Sequence, residues 1–206
     1  MEHDPRPASS SAVAEATVPD ALLQRLGTRL RSISRSLAAV EAWVAGLLIA
    51  GIFCLLMGNV VSRAIARPLI WSDELAIYLM ACAAFVGASV GLAHRQHIAV
   101  TLLPDLLSLR NAHRLAIVVD VILLAFFVVL AVLLWRWFDP VGVLRAESLE
   151  AYSMQTFNFM WQEPTVTLGM RKVWFWMVLP VFCLTGGLHV AGSLVERLSG
   201  QPGEQQ

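Results

Sequence analysis

Two adjacent carboxylates, Asp73 and Glu74, are the first candidates for a site with chemical function. They open a stretch, residues 75–93, that carries no charge, and carboxylates at a membrane could bind a proton or a cation. They could equally be structural, because negative charge is favoured at a helix N-terminus and Arg63 or Arg67 could pair with them across a turn. We favour the structural interpretation.

Histidines are the second candidates. His94 and His97 have the i, i+3 spacing of two ligands on one helical face, and His189 is the only histidine inside an apolar run. A metal or haem site needs further ligands at the same depth. His189 could lie at the depth of His94 and His97, but nothing else in the sequence supports a site. Asp120 is a carboxylate inside an apolar run, but it lies near the run's start, where pairing with an arginine explains it equally well. We therefore expect no metal and no cofactor.

The sequence does not predict an enzyme. Cys54, Cys82 and Cys183 all lie in apolar runs, where cysteine usually behaves as a small hydrophobic residue. No nucleophile–base arrangement or phosphate-binding loop is recognisable, so we expect no catalytic residues. A haem-bearing membrane anchor subunit of an oxidoreductase remains the alternative function, and a self-sufficient small exporter is a third.

The composition places these residues in a membrane protein. The chain has 206 residues, of which 57% are hydrophobic and 15% charged, with a mean hydropathy of +0.66. Soluble domains usually carry about 25% charged residues. The net charge of zero argues against a nucleic-acid partner, which requires a basic excess.

Four uncharged or nearly uncharged runs are long enough to cross a bilayer, whose core is roughly 30 Å thick. We predict an all-α integral membrane protein with four transmembrane helices and an N-terminal amphipathic helix. The predicted spans are about 42–62, 72–93, 115–137 and 173–195, within a membrane domain at 39–198. Pro180 is expected to kink the last span.

The segments that flank this domain are polar. Residues 1–19 are predicted to be disordered and 199–206 to form a polar tail. Residues 20–38 have leucines at helical spacing among arginines, which predicts an interfacial helix on an anionic leaflet. Nine Lys and Arg residues flank the spans on the side of the termini and six on the other side, so both termini are predicted to be cytoplasmic.

The second span and the third connection could contact partners. The second span is rich in small residues, including Ala84, Gly87 and Gly91, which allow another helix to approach closely. The connection at 139–170 is unusually long, and it is predicted to expose aromatic residues to a docking partner or to the membrane interface. Its aromatic residues are Tyr152, Phe157, Phe159 and Trp161.

An autonomous transporter is disfavoured. Secondary transporters bind substrate near the midplane, usually at broken helices in paired repeats. The sequence has no recognisable internal repeat, and its spans indicate no polar cluster at midplane depth. The chain is therefore predicted to need a partner that carries the substrate site.

The segment 59–102 resembles the signature region of the small, DctQ-like membrane subunit of tripartite ATP-independent periplasmic (TRAP) transporters. An arginine ends the first span, a Trp and a Glu open the second, a glycine lies in its middle, and a basic residue precedes His-Ile. The matching residues are Arg63, Trp71, Glu74, Gly87, Arg95, His97 and Ile98. The four-span layout extends the resemblance over roughly residues 40–198. Thr101 stands where the family often has Asp, and the long third connection is a second departure.

The resemblance implies a role without ATP hydrolysis. Such a subunit supports a large membrane subunit in the bacterial inner membrane, and the large subunit moves substrate by a sodium-coupled elevator-type motion. A periplasmic binding protein delivers the substrate, usually an organic acid. In this picture Arg63, Trp71 and Glu74 form an outer structural cluster. The small residues of the second span face the large subunit, and the aromatic connection is a possible contact for the binding protein.

Overall fold

A computed structural model of the protein describes residues 18–94 and 109–199, with side chains described from Gly27 and from Arg110 onwards in the two ranges. Residues 1–17, 95–108 and 200–206, with the predictions made for them, lie outside the described residues. The helices are α1 (Val18–Ala64), α2 (Ile70–Ala93), α3 (Leu109–Phe138), α4 (Pro140–Arg145), α5 (Leu149–Thr156), α6 (Val173–Trp176) and α7 (Val178–Leu198). Four stretches of the described chain are long and apolar enough to cross a membrane: Gly27–Ala64, Ile70–Ala93, Arg110–Arg145 and Val173–Leu198. The predicted fold class, an all-α integral membrane protein with four spans, is confirmed.

The four long helices form an open arrangement around α7. Helix α7 packs against α1, α2 and α3, and α1 also packs along α2, whereas α3 packs mainly on α7. We call the end that holds 27–41, 89–94, 110–120 and 185–199 the terminal end, and the opposite end the loop end. Because α2 and α3 each pack on α7 rather than on each other, a groove separates these two helices.

The contact between α3 and α7 depends on a glycine. A Cβ built on Gly186 would lie 2.5 Å from Cζ of Phe127, a core residue that is only 4% exposed. The Phe127 ring thus occupies the space that any side chain at position 186 would need. Phe182 lies beside it, with ring centroids 5.4 Å apart.

Helix α1 carries the predicted N-terminal helix at 20–38 into the first span without a break. It runs without interruption for 47 residues, about 70 Å at 1.5 Å per residue, from Val18 to the loop end. Its N-terminal half packs along the end of α7, with Gly27 next to Val195 and Leu30 next to Gly192. Residues 27–41 therefore extend the helix bundle at this end, and a position at the membrane interface stays a prediction.

The irregularity expected at Pro180 is found one turn earlier. Helix α6 ends at Trp176 and α7 begins at Val178, with Met177 between them still in the right-handed helical region. Proline has no N–H, so the carbonyl of Trp176 loses its i+4 donor. The hydrogen-bond ladder is interrupted there.

The long connection at 139–170 is folded rather than extended. Asp139, at φ 37°, ends α3 and caps α4; its Oδ1 accepts from the Gly142 N–H at 3.0 Å and its Oδ2 from the Tyr152 hydroxyl at 3.1 Å. Asn158 Nδ2 donates to the Trp137 carbonyl at 2.8 Å. These bonds fold α4, α5 and the following turn over the end of α3.

The aromatic residues of this connection do not share one environment, which corrects the prediction of a common exposed surface. Tyr152 is 3% exposed, and burial raises the pKa of its phenol. Trp161 donates from Nε1 to the Phe138 carbonyl at 2.7 Å and packs edge-to-face on that ring. Phe157, which is 81% exposed, and Phe159 do face outwards.

Candidate functional site

At the loop end, Asp73 pairs with Arg63. Its Oδ2 lies 2.7 Å from Nη2 of Arg63, and its Oδ1 accepts from Asn59 Nδ2 at 2.6 Å. Both charged side chains are more than half exposed, so the pair contributes only about 0–1 kcal/mol to stability. The carboxylate closes the turn between α1 and α2, which is the structural alternative considered from the sequence.

Glu74 fastens the long connection to α2. Its carboxylate accepts from the backbone N–H of Val166 at 2.8 Å and from the N–H and hydroxyl of Thr167, each at 2.6 Å. The turn that it holds is closed by a bridge between Pro164 and Arg171. Both oxygens of Glu74 thus serve a structural contact. Trp71, three residues before Glu74 in the same motif, is 39% exposed.

The small residues of α2 lie on an open face. Ala84 and Gly87 are exposed and Gly91 is half-buried, and within the described part of the chain no residue outside the adjacent helix turns lies within 4 Å of a Cβ built on either glycine. A groove of about 370 Å³ runs beside this face between α2 and α3, with α7 at its base. Its lining residues are Ala88, Gly91, Leu92, Leu123, Phe126, Phe127 and Phe182. Among the described residues, Gly87 and Gly91 make no side-chain packing contacts that would require their small size.

A buried polar cluster was missed in the sequence. It comprises Ser34 and Glu41 of α1, Ser89 of α2, and Thr185 and His189 of α7, and we call it the Glu41 cluster. His189 Nε2 lies 3.1 Å from Glu41 Oε2, and Nδ1 lies 2.6 Å from Ser34 Oγ. Ser89 donates to Glu41 Oε1 at 2.8 Å, and its hydroxyl lies 2.9 Å from that of Thr185. The cluster thus joins three residues of the predicted spans, Ser89, Thr185 and His189, to two residues that precede the first predicted span.

The Glu41 cluster is almost free of solvent. Ser89 is 1% exposed, His189 3% and Glu41 8%. Ser89 lies four residues before the end of α2, which places the cluster about 6 Å inside the terminal end and not at the midplane. Three helices thus meet around one carboxylate, and the cluster fixes how they pack.

His189 contacts a serine, Ser34, on one side and a glutamate, Glu41, on the other, as the histidine of a hydrolase triad does. The surroundings do not support catalysis. Ser34 lies inside helix α1, where backbone N–H groups are used in the helix and cannot stabilise an oxyanion. Both ring nitrogens of His189 have partners, so neither is open to a metal. His94 is exposed at the end of α2. Within 18–94 and 109–199, no three His, Cys, Asp or Glu residues are grouped as metal ligands, and haem is not favoured.

Two ion pairs add polar contacts between the Glu41 cluster and the terminal end of the bundle. Arg197 Nε lies 2.8 Å from Asp120 Oδ2, and Arg31 Nη1 lies 3.4 Å from Glu196 Oε1. The first is a close charge contact whose N–H does not point at the oxygen. Asp120 therefore has an arginine partner, the alternative considered for it, and α7 is tied to both α3 and α1. The motif residues Arg95 and His97 lie outside the described residues.

Comparison with known proteins assigns the family. Residues 52–200 match the family described as tripartite ATP-independent periplasmic transporters, DctQ component. The chain is also 35% identical over 69 residues to the sialic acid TRAP transporter permease protein SiaT of Haemophilus influenzae (strain 86-028NP). That match covers 33% of this chain and 11% of SiaT, so the chain spans only a small part of that relative. No solved structure matches the chain. Because the family match covers most of its length, including the second, third and fourth spans, the chain belongs to the DctQ family of TRAP transporter membrane components.

Proposed function

We propose that the chain is the small permease subunit of a TRAP-type transporter and supports a large membrane subunit in ion-coupled uptake of an organic acid. A periplasmic binding protein delivers the acid, and the subunit lies in the bacterial inner membrane with the terminal end in the cytoplasm. The open small-residue face of α2 carries this proposal, because such faces allow close helix contact. The sialic acid named for SiaT belongs to the proposed substrate class.

The arrangement of polar groups supports a partner-dependent role. The Glu41 cluster is near one membrane boundary, and the Asn59, Arg63 and Asp73 contacts are at the other. Between them, the groove beside α2 is lined almost entirely by apolar side chains. An organic acid needs polar partners when it leaves water. The substrate path is therefore assigned to the large subunit.

Affinity purification of the tagged full-length chain from its native membrane, followed by mass spectrometry, tests the proposal. We expect a large multi-span protein to co-purify in a fixed ratio. A chain that purifies alone from mild detergent and transports when reconstituted would contradict it. A Soret band in the purified sample would support the haem alternative instead.

Gly87→Leu should weaken assembly, because a leucine on the open face of α2 prevents close approach of a partner helix. We expect roughly tenfold less co-purified large subunit, equivalent to about 1.4 kcal/mol of binding free energy. Gly51→Leu is the matched control: it too is an exposed glycine with no other residue within 4 Å of its built Cβ, but it lies on α1. Equal recovery with both variants would place the partner elsewhere.

Met154→Gln with Phe157→Asn should lower uptake without affecting assembly, if the connection docks the binding protein. These side chains are 73% and 81% exposed, and asparagine suits the left-handed conformation of residue 157 at φ 55°. We expect uptake to fall about fivefold or more when the binding protein is limiting, as for a hot-spot contact, and to recover when it is in excess.

Leu144→Gln serves as the control for that pair, because Leu144 is 85% exposed but lies on α4. Normal uptake by the Met154 and Phe157 variant at every concentration of binding protein would rule out docking there. In that case the exposed side chains would be assigned to the membrane interface.

A further inference from the structure

The exposed charge at the terminal end is entirely positive among the described side chains. Three acidic side chains lie there, and each is buried against a basic partner or a histidine: Glu41, Asp120 and Glu196. Exposed arginines at the same end are Arg29, Arg35, Arg110 and Arg114. The chain has no net charge, so this separation is produced by folding and not by composition.

Helix α1 bears an open, shallow depression on this end. It measures about 390 Å³ and is lined by Thr28, Arg31, Ser32, Arg35 and Ser36, which we call the arginine recess. Spacings of three and four residues place these side chains on one helical face. Arg31 is held by Glu196 at 3.4 Å, so its guanidinium is oriented before any ligand binds. Guanidinium and hydroxyl groups donate hydrogen bonds to phosphate oxygens, and one arginine can donate two parallel hydrogen bonds to the same phosphate.

The arginine recess lies at the depth of lipid headgroups. Apart from Ile33, 53% exposed, the large exposed apolar side chains described on α1 begin at Val40, 60% exposed, and include Trp43, 77% exposed. Arg35 lies five residues before Val40, about 7.5 Å along the helix. The headgroup layer on each side of a bilayer is roughly 5–7 Å thick. A phosphate in the recess would thus sit where the acyl chains of the same lipid could follow Val40 and Val44.

We propose that the arginine recess binds the phosphate of an anionic phospholipid of the adjacent leaflet. The exposed cations of the terminal end attract the lipid, and the hydroxyls of Ser32 and Ser36 with the guanidinium of Arg35 select its phosphate. This binding does not depend on the proposed transport role, and it concerns the membrane rather than the large subunit.

Native mass spectrometry of the full-length chain in neutral detergent, titrated with phosphatidylglycerol or phosphatidylethanolamine, tests the proposal. We expect phosphatidylglycerol to bind more tightly. Arg35→Gln should weaken its binding about fivefold, the effect of one arginine near an anionic surface. Ser32→Ala with Ser36→Ala should weaken it further while leaving the charge unchanged, and both variants should keep the wild-type thermal unfolding because these side chains are exposed.

Arg110→Gln is the matched control, an exposed arginine at the same end on α3. An equal loss with Arg110→Gln and Arg35→Gln would overturn the proposal in favour of diffuse charge attraction. Equal binding of the two lipids would also overturn it. Glycerol 3-phosphate, added as a competitor, tests whether the recess binds a soluble phosphate instead. If it displaces phosphatidylglycerol when the two are at equal concentration, the recess is a site for free phosphate compounds and the lipid proposal is rejected.

Discussion

Replacing either Glu41 or His189 with alanine should lower the free energy of unfolding by about 1–3 kcal/mol, the cost of leaving the other buried polar group without its partner. The two side chains meet at 3.1 Å and are nearly inaccessible to solvent. Each single substitution leaves the other group buried without its partner. Detergent-solubilised protein, unfolded by heat and followed by tryptophan fluorescence, would report the change.

The double variant Glu41→Met with His189→Leu should cost clearly less than the sum of the two single losses. It removes both polar groups and fills their space with apolar side chains, an exchange that is often neutral. Ser34→Ala should cost only about 0.5–1.5 kcal/mol, because it removes one hydrogen bond and no charge. Additive losses in the double variant would mean that Glu41 and His189 act independently, and the Glu41 cluster would not be a coupled unit.

The spans and the family could be predicted because their signals are local. An uncharged run long enough to cross a bilayer is visible in any window of the sequence, and α2, predicted at 72–93, is observed at Ile70–Ala93. The pairing of Asp73 with Arg63 also connects close neighbours, across one turn. Such features depend on residues only a few positions apart.

The Glu41 cluster could not be predicted because its contacts are distant in sequence. Glu41 is 48 residues from Ser89 and 148 from His189, and in the sequence it looks like a charge at the edge of a span. The spacing of Ser34 and Glu41 by seven, and of Thr185 and His189 by four, indicates shared helix faces. Neither spacing identifies the facing partner, so only the packing of α1, α2 and α7 brings the residues together.

Two other features of the fold had local signals in the sequence. Residues 20–62 contain no proline, which is consistent with one continuous helix α1. In the long connection, Asp139 before Pro140 and Ser148 before Leu149 are helix-start signals, and both residues do cap helices. These signals, and not the aromatic residues, predict the two short helices of the connection.

Gly186→Ala should destabilise the packing of α3 on α7, whereas Gly187→Ala should not. Alanine in place of glycine inside a helix normally stabilises by roughly 0.5–1 kcal/mol. At position 187 the new Cβ would lie 3.8 Å from Phe127, an ordinary contact, so this gain should be kept. At position 186 the Cβ would lie 2.5 Å from the Phe127 ring, and overpacking of this kind costs typically 1–3 kcal/mol.

To move away from Gly186, the Phe127 ring would have to repack against the rings of Phe126 and Phe182, each at a centroid distance of 5.4 Å. Thermal unfolding of both single variants measures the difference, and Phe127→Leu added to Gly186→Ala should restore part of the loss by shortening the obstructing side chain. If Gly186→Ala were as stable as Gly187→Ala, or if Phe127→Leu only added its own loss, α3 would not depend on this contact. The coupling between positions 127 and 186 therefore decides whether one glycine joins the outlying helix α3 to the rest of the bundle.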